Sequence, residues 1–195
     1  MYSSSITSAG LRTLDSKTVA KLLLAELSKK QWDQRILRDN VLQLVSVKSR
    51  KRIASILRAR LMTFDRTLWQ MIVEGDHTLS TQATLAAAIK HSRLLGDFML
   101  HVLKVRRQEM AEHLYRNEWN NYLVGCRVRE PKMPNWSETT IAKLRTTVFS
   151  ILCESGYLSS TQHQQLQTVY VDRQLVGYLR ESEEHYVLRC LEVAE

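Results

Sequence analysis

Helix-breaking residues are scarce in this sequence, which has only two prolines and six glycines in 195 residues. Proline removes a helical hydrogen bond, and glycine costs roughly 1 kcal/mol in a helix interior, so long stretches without them favour helices. Apolar residues also recur three or four positions apart over most of the chain, which is the period of an amphipathic helix. We therefore predict a mainly α fold.

Short polar residues placed before the periodic stretches predict where helices begin. The side-chain oxygen of such a residue accepts a hydrogen bond from a free N–H of the first helical turn. The predicted N-caps are Asp15 or Ser16, Ser28, Ser46, Asp65, Ser80 and Ser137. Gly156 predicts a helix end, because glycine tolerates the left-handed conformation that commonly follows the last turn.

One segment departs from the helical period. After a polar Ser/Thr/Gln region, Leu166, Val169 and Val171 follow a β-type pattern. This pattern predicts a small β-hairpin in residues 157–172. Because the hairpin would follow a helix, the C-terminal part is predicted to be winged-helix-like.

The segment Pro131–Pro134 is the predicted linker between two domains. Residues 1–130 would form a helical N-terminal domain that contains a basic helix-turn-helix-like unit. Residues 135–195 would form a helical C-terminal domain with the hairpin as its wing.

The net charge of +8 is unevenly placed along the chain. Residues 1–64 hold 13 basic and 4 acidic residues, whereas residues 136–195 hold 5 basic and 8 acidic residues. This asymmetry indicates an anion-binding N-terminal part joined to a neutral-to-acidic part.

The basic charge is densest from Asn40 to Phe64, where six Lys or Arg residues and no acidic residue occur. Apolar residues at helical spacing predict one buried face for this segment, with basic residues on the opposite face. Lys48 and Arg52 lie one turn apart, and their repulsion destabilises an isolated helix by roughly 0.2–0.5 kcal/mol. A bound polyanion would neutralise that repulsion.

The preceding helix, a connection and this basic helix have the outline of a helix-turn-helix, whose second helix enters the DNA major groove. The connection from Asn40 to Val45 is longer than the usual three or four residues. An ordinary helical hairpin, which needs no DNA, is the alternative.

The candidate nucleic-acid site follows from this placement of charge. Lys and Arg would contact phosphates, and Ser would add neutral hydrogen bonds. The predicted site residues are Ser46, Lys48, Ser49, Arg50, Lys51, Arg52 and Arg58, with Lys29, Lys30, Lys90 and Arg93 as secondary candidates. We expect little sequence specificity, because no Asn or Gln lies on the basic face to read adenine, although Arg could read guanine.

Motifs of catalysis and cofactor binding are missing from the sequence. It has no phosphate-binding GxxxxGK[ST] loop, no GxGxxG and no HExxH. None of its histidines lies at zinc-ligand spacing from another His or a Cys. We predict a non-enzymatic protein with no metal, cofactor or small-molecule substrate.

The sequence also predicts a cellular location. Cys126, Cys153 and Cys190 lie far apart and are odd in number, which fits a reduced protein better than a disulfide scaffold. No signal peptide is recognisable, and no stretch approaches the roughly 20 apolar residues of a membrane helix. We predict a cytoplasmic protein without a membrane partner.

Several segments together resemble the BrxA family of bacterial BREX phage-defence systems. They are Tyr2–Thr7, Lys90–Phe98, Trp136–Glu138, Gly156–Leu158 and His185–Leu191. The resemblance covers nearly the whole chain in order, and Lys90–Phe98 is its most specific part. It implies a cytoplasmic defence component that acts with an ATPase, a DNA methyltransferase and an alkaline-phosphatase-like protein. The family is likened to the all-helical antiterminator NusB and is thought to bind DNA; it offers no catalytic motif.

Three functions remain open from the sequence. The first is largely sequence-independent binding of double-stranded DNA. The second is NusB-like RNA binding, which would need aromatic stacking surfaces beside the basic helix. The third is a protein–protein adaptor whose basic face meets an acidic partner.

Overall fold

The computed structural model describes residues 2–193, which fold into a succession of helices. A 3₁₀-helix at Ser5–Ser8 comes first. The α-helices are α1 Thr13–Leu24, α2 Lys29–Asp33, α3 Val47–Leu61, α4 Arg66–Glu74, α5 His77–His91, α6 Arg93–Phe98, α7 Lys104–Gln108, α8 Asn117–Arg129, α9 Glu138–Glu154, α10 Arg173–Glu181 and α11 His185–Leu191. Short π-helical turns, Gln34–Arg38 and Met99–Leu103, extend α2 and join α6 to α7. The predicted mainly α character is confirmed.

Most predicted N-caps are confirmed by hydrogen bonds. Side chains of Ser28, Asp65 and Ser137 each accept from a backbone N–H of the following first turn. Two predicted caps are wrong. Helix α1 begins at Thr13, so Asp15 and Ser16 lie inside it, and Asp76 caps α5, so Ser80 lies inside that helix. The buried Ser80 hydroxyl donates instead to the Ile72 carbonyl at 2.9 Å.

Helix α5 forms the centre of the core. Every residue from Leu79 to Ile89 is buried, and neighbours include α1, α3, α4, α6, α10 and α11. Small side chains at Ala83 and Ala86–Ala88 let those helices approach closely. Helix α5 therefore lies between the basic helix α3 on one side and the C-terminal helices on the other.

A buried carboxylate joins distant parts of the chain. Asp97 is 4% exposed and accepts hydrogen bonds from the Tyr2 hydroxyl at 2.6 Å and the Tyr186 hydroxyl at 2.7 Å. Arg93 adds an ion pair at 3.4 Å. These bonds connect the N-terminal segment and α11 to Lys90–Phe98, the most specific of the segments that resemble the BrxA family. Asp97 in that segment therefore has a structural role in the fold.

A second buried contact fixes the N-terminal segment against α3. Arg60 is 2% exposed and donates to the carbonyl oxygens of Ala9 at 2.8 Å and Gly10 at 2.7 Å. Burial lowers the pKa of its guanidinium to about 10. Nearby, the Glu154 carboxylate accepts from the backbone N–H of Thr13 at 3.0 Å and so caps the first turn of α1.

The predicted β-hairpin in residues 157–172, and with it the winged helix, is wrong. Residues 2–193 contain no β-strand, only isolated antiparallel bridges at Leu158–Leu166 and His113–Gln165. The extended chain beyond them pairs with a side chain instead of a strand. Gln82 donates to the Tyr170 carbonyl at 2.9 Å and accepts from the Asp172 N–H at 2.8 Å. The antiparallel pairing also cannot extend, because in the register of Leu158 and Leu166 residue 170 would face Glu154, which belongs to α9.

Gly156 ends α9 as predicted. Its φ of +81° is left-handed, and the Tyr157 N–H bonds to the Leu152 carbonyl at 2.8 Å across the turn. The division into domains 1–130 and 135–195 stays a prediction. Contacts of α5 with α10 and α11 run across that boundary.

Candidate nucleic-acid interface

The basic stretch predicted from the sequence is helix α3. Ser46 caps it, because its hydroxyl oxygen accepts from the Ser49 N–H at 3.1 Å. One face packs against α1 and α5 and holds the buried residues Ile53, Ala54, Leu57 and Leu61. The sequence-predicted amphipathic helix is confirmed, including its start.

The opposite face of α3 is exposed and basic. It holds Lys48, Lys51, Arg52, Ser55 and Arg58, which repeat three or four residues apart. From Lys48 to Arg58 this face runs for about 15 Å, at 1.5 Å per residue. Within residues 2–193, none of the four cations forms an ion pair. Their charge is therefore available to an external anion.

Arg50 lies in the first turn of α3, but its side chain bonds to the connection before the helix and does not join the exposed face. Its guanidinium donates to the carbonyl oxygens of Leu44 at 2.9 Å, Leu37 at 2.8 Å and Val45 at 3.4 Å. Those three bonds close the turn between the π-helical end of α2 and the start of α3. The structure gives Arg50 a bridging position, which its place in the sequence does not reveal.

Helix α2 contacts α3 through Trp32 and also carries two of the secondary candidates. The Arg58 guanidinium lies 4.7 Å from the ring centre of Trp32, a cation–π contact between the two helices. Lys29 and Lys30 are exposed in the first turn of α2. Contact between α3 and the π-helical turn after α2 holds the pair together.

The remaining secondary candidates lie elsewhere. Lys90 at the end of α5 pairs with Glu184 and lies 4.3 Å from the ring centre of Phe64. Arg93 pairs with Asp97, whose negative charge raises the pKa of Arg93. Each of these cations is paired with a carboxylate and lies on another helix, so neither forms part of the exposed face of α3.

Two exposed residues at the start of α3 are absent from the sequence prediction. Val45 is 99% exposed and Val47 is 57% exposed. They flank the Ser46 cap. The sequence carries no clear signal for this exposure, because Val47 lies within about 40° of the buried Ala54 and Leu61 around the helix axis.

Possible metal ligands do not cluster in the described part of the chain. Within residues 2–193 no group of three His, Cys, Asp or Glu side chains is placed to hold a metal ion. Among the same residues, no helix combines the length and apolar character needed to span a bilayer.

Comparison with protein families gives a match to the BrxA family model over residues 1–183. The chain belongs to the BrxA family. BrxA proteins are components of BREX systems, which are phage-defence systems.

Curated BrxA relatives match along most of their length. The BREX protein BrxA of Paramagnetospirillum magneticum AMB-1 is 39% identical over 193 residues, covering 99% of this chain and 97% of that protein. BrxA of Escherichia coli O9:H4 strain HS is 33% identical over 162 residues, covering 83% and 76%. BrxA of Bacillus cereus H3081.97 is 26% identical over 181 residues, covering 92% and 90%.

A solved structure also matches this BrxA-family chain. It is the crystal structure of an uncharacterized protein from Magnetospirillum magneticum, with a TM-score of 0.91 and 40% sequence identity. The match covers 98% of each chain. The helical arrangement is thus shared with a relative solved by crystallography.

Proposed function

We propose that this chain is a non-enzymatic, largely sequence-independent double-stranded-DNA-binding component of a BREX defence complex. In the cytoplasm it would act beside other BREX proteins: the ATPase, the methyltransferase and the alkaline-phosphatase-like protein. Helix α3 would lie against the duplex and contact phosphates through Lys48, Lys51, Arg52 and Arg58.

The observation that carries the proposal is the exposed, unpaired face of α3. Four cations spread over about three turns repel one another, and the segment from Asn40 to Phe64 holds no carboxylate to offset them. Apart from the contact of Arg58 with Trp32, these charges make no ion pair in residues 2–193, and the opposite face makes the core contacts. A row of phosphates supplies the missing negative charge at comparable spacing.

The surroundings of α3 favour a duplex over single-stranded RNA. Unstacked bases are held by aromatic rings. Trp32, however, is half-buried beneath Arg58, and Phe64 is buried beneath Lys90. Neither ring is open for a base, whereas phosphate contacts need only the cations.

The test is the salt dependence of duplex binding, measured by fluorescence anisotropy. Four neutralised phosphates give a slope of log K against log salt of about −3.6, from roughly −0.9 per phosphate. The variant Lys51→Glu/Arg52→Glu should lose most binding, and its slope should fall to about half. Its fold should persist, since both side chains are exposed.

A charge-matched control separates the site from the overall charge. Lys132→Glu/Lys143→Glu changes the net charge equally at two exposed residues far along the chain. This control should bind as tightly as the unaltered protein. Equal binding by the Lys51/Arg52 variant would reject α3 as the DNA site. Tighter binding of single-stranded RNA than of duplex DNA would favour the NusB-like function instead.

A further inference from the structure

Val45 and Val47 are apolar side chains exposed within a basic surface. Val45, in the turn before α3, is 99% exposed, and Val47, in its first turn, is 57% exposed. Their neighbours Leu42 and Leu44 pack into the core. The chain therefore buries two of the four apolar residues from Leu42 to Val47 and leaves the other two in solvent.

Val47 lies in the first turn of α3, where the basic face meets the buried face. At 100° per residue it is within about 40° of Lys51 and Arg58 on one side and of the buried Ala54 and Leu61 on the other. The Ser46 cap, which bonds to the Ser49 N–H at 3.1 Å, fixes the chain between the two valines. Val45 and Val47 therefore lie beside the N-terminal end of the face that carries the phosphate-binding candidates.

A duplex offers a complement to this mixture of charges and methyl groups. The phosphate backbones on either side of its major groove are anionic, and the floor of the groove carries one apolar group, the C5-methyl of thymine. In helix-turn-helix proteins, residues at the N-terminus of the second helix are the ones that reach base edges.

We propose that Val45 and Val47 contact thymine C5-methyl groups in the major groove, and that they make binding sensitive to thymine content. The inference deepens the proposed DNA-binding function and rests on it. The cations of α3 supply affinity that is independent of sequence. The two valines add a preference for thymine that does not need a polar side chain hydrogen-bonded to a base edge.

The test compares two short duplexes that differ only by uracil in place of every thymine. This exchange removes the C5-methyl groups and leaves the phosphates and base-pairing groups unchanged. The protein should bind the thymine duplex more tightly, by roughly fourfold for each methyl contact. The salt slope should be the same for both duplexes, because phosphate contacts are not altered.

Variants assign the preference to its residues. Val45→Ser/Val47→Ser should bind both duplexes equally, with the affinity that the unaltered protein has for the uracil duplex. Val124→Ser/Val128→Ser, which changes an exposed pair on α8, should keep the preference. Equal binding of the two duplexes by the unaltered protein, with a normal salt slope, would overturn the thymine contact and leave DNA binding standing. No binding to either duplex would overturn the proposed function itself.

Discussion

Arginines on one helix have opposite environments in this structure. Arg52 is exposed on α3 and makes no ion pair within residues 2–193, whereas Arg60, two turns later, is buried against the carbonyl oxygens of Ala9 and Gly10. The same charge therefore faces solvent at one position and makes internal hydrogen bonds at the other. Net charge alone overstates how much of the basic stretch faces solvent.

Replacing Arg60 with Met should lower the free energy of unfolding by roughly 3 kcal/mol, because two charge-assisted hydrogen bonds are lost and two buried carbonyls lose their donor. Urea unfolding followed by circular dichroism measures the change. The matched variant Arg52→Met should shift stability by at most about 0.5 kcal/mol. Similar stabilities for the two variants would show that the Arg60 contacts contribute little.

His91 provides a pH-dependent test at the end of α5. Burial, and then the positive charge of Arg60, lower its pKa below the ordinary value of 6.5. On acidification the unfolded chain therefore takes up this proton first, so stability is complete above about pH 6.5 and falls as the pH drops through the lowered folded pKa. Urea midpoints measured across this range should decline more steeply for the unaltered protein than for His91→Gln. Parallel curves would contradict the shift.

At the scale of single helices, Gly156 and Gly177 have different backbone conformations, so replacing each with alanine should change stability in opposite directions. Gly156 has φ +81°, so Gly156→Ala should cost about 1–2 kcal/mol of strain even though its added Cβ would have room. Gly177 lies inside α10 with nothing within 4 Å of an added Cβ. There Gly177→Ala should raise stability by up to about 1 kcal/mol. Thermal unfolding of both variants checks the opposite signs; shifts of the same sign would refute the argument.

Elements fixed by local chemistry were predictable from the sequence. The start of α3 at Ser46 and its exposed basic face follow from a cap and a period that span a few residues. The hairpin prediction failed because the antiparallel register of Leu158 and Leu166 runs into α9, and the backbone around residue 171 is bound by Gln82, about 90 residues away. Arg60 was counted with the basic stretch because its partners lie 50 residues upstream. Contacts of that range leave no periodic signal.

At the scale of the whole molecule, contacts run across the predicted boundary at residues 130–135. Helices α10 and α11 cover α5, and Glu154 of α9 caps α1. We therefore expect the fragment 1–130 to expose apolar surface and to unfold without a sharp transition. Urea titration and binding of a hydrophobic dye measure both properties. A cooperative transition with little dye binding would mean that this part folds independently.

The Asp97 contact also sets an order for folding during synthesis. Tyr186 follows Asp97 by 89 residues, so a growing chain on the ribosome carries this carboxylate with only one of its two tyrosine partners until α11 emerges. A carboxylate buried without its full set of donors is costly. The native core should therefore close only when α11 has left the exit tunnel, and chains that stop before it should be substrates for cellular proteases.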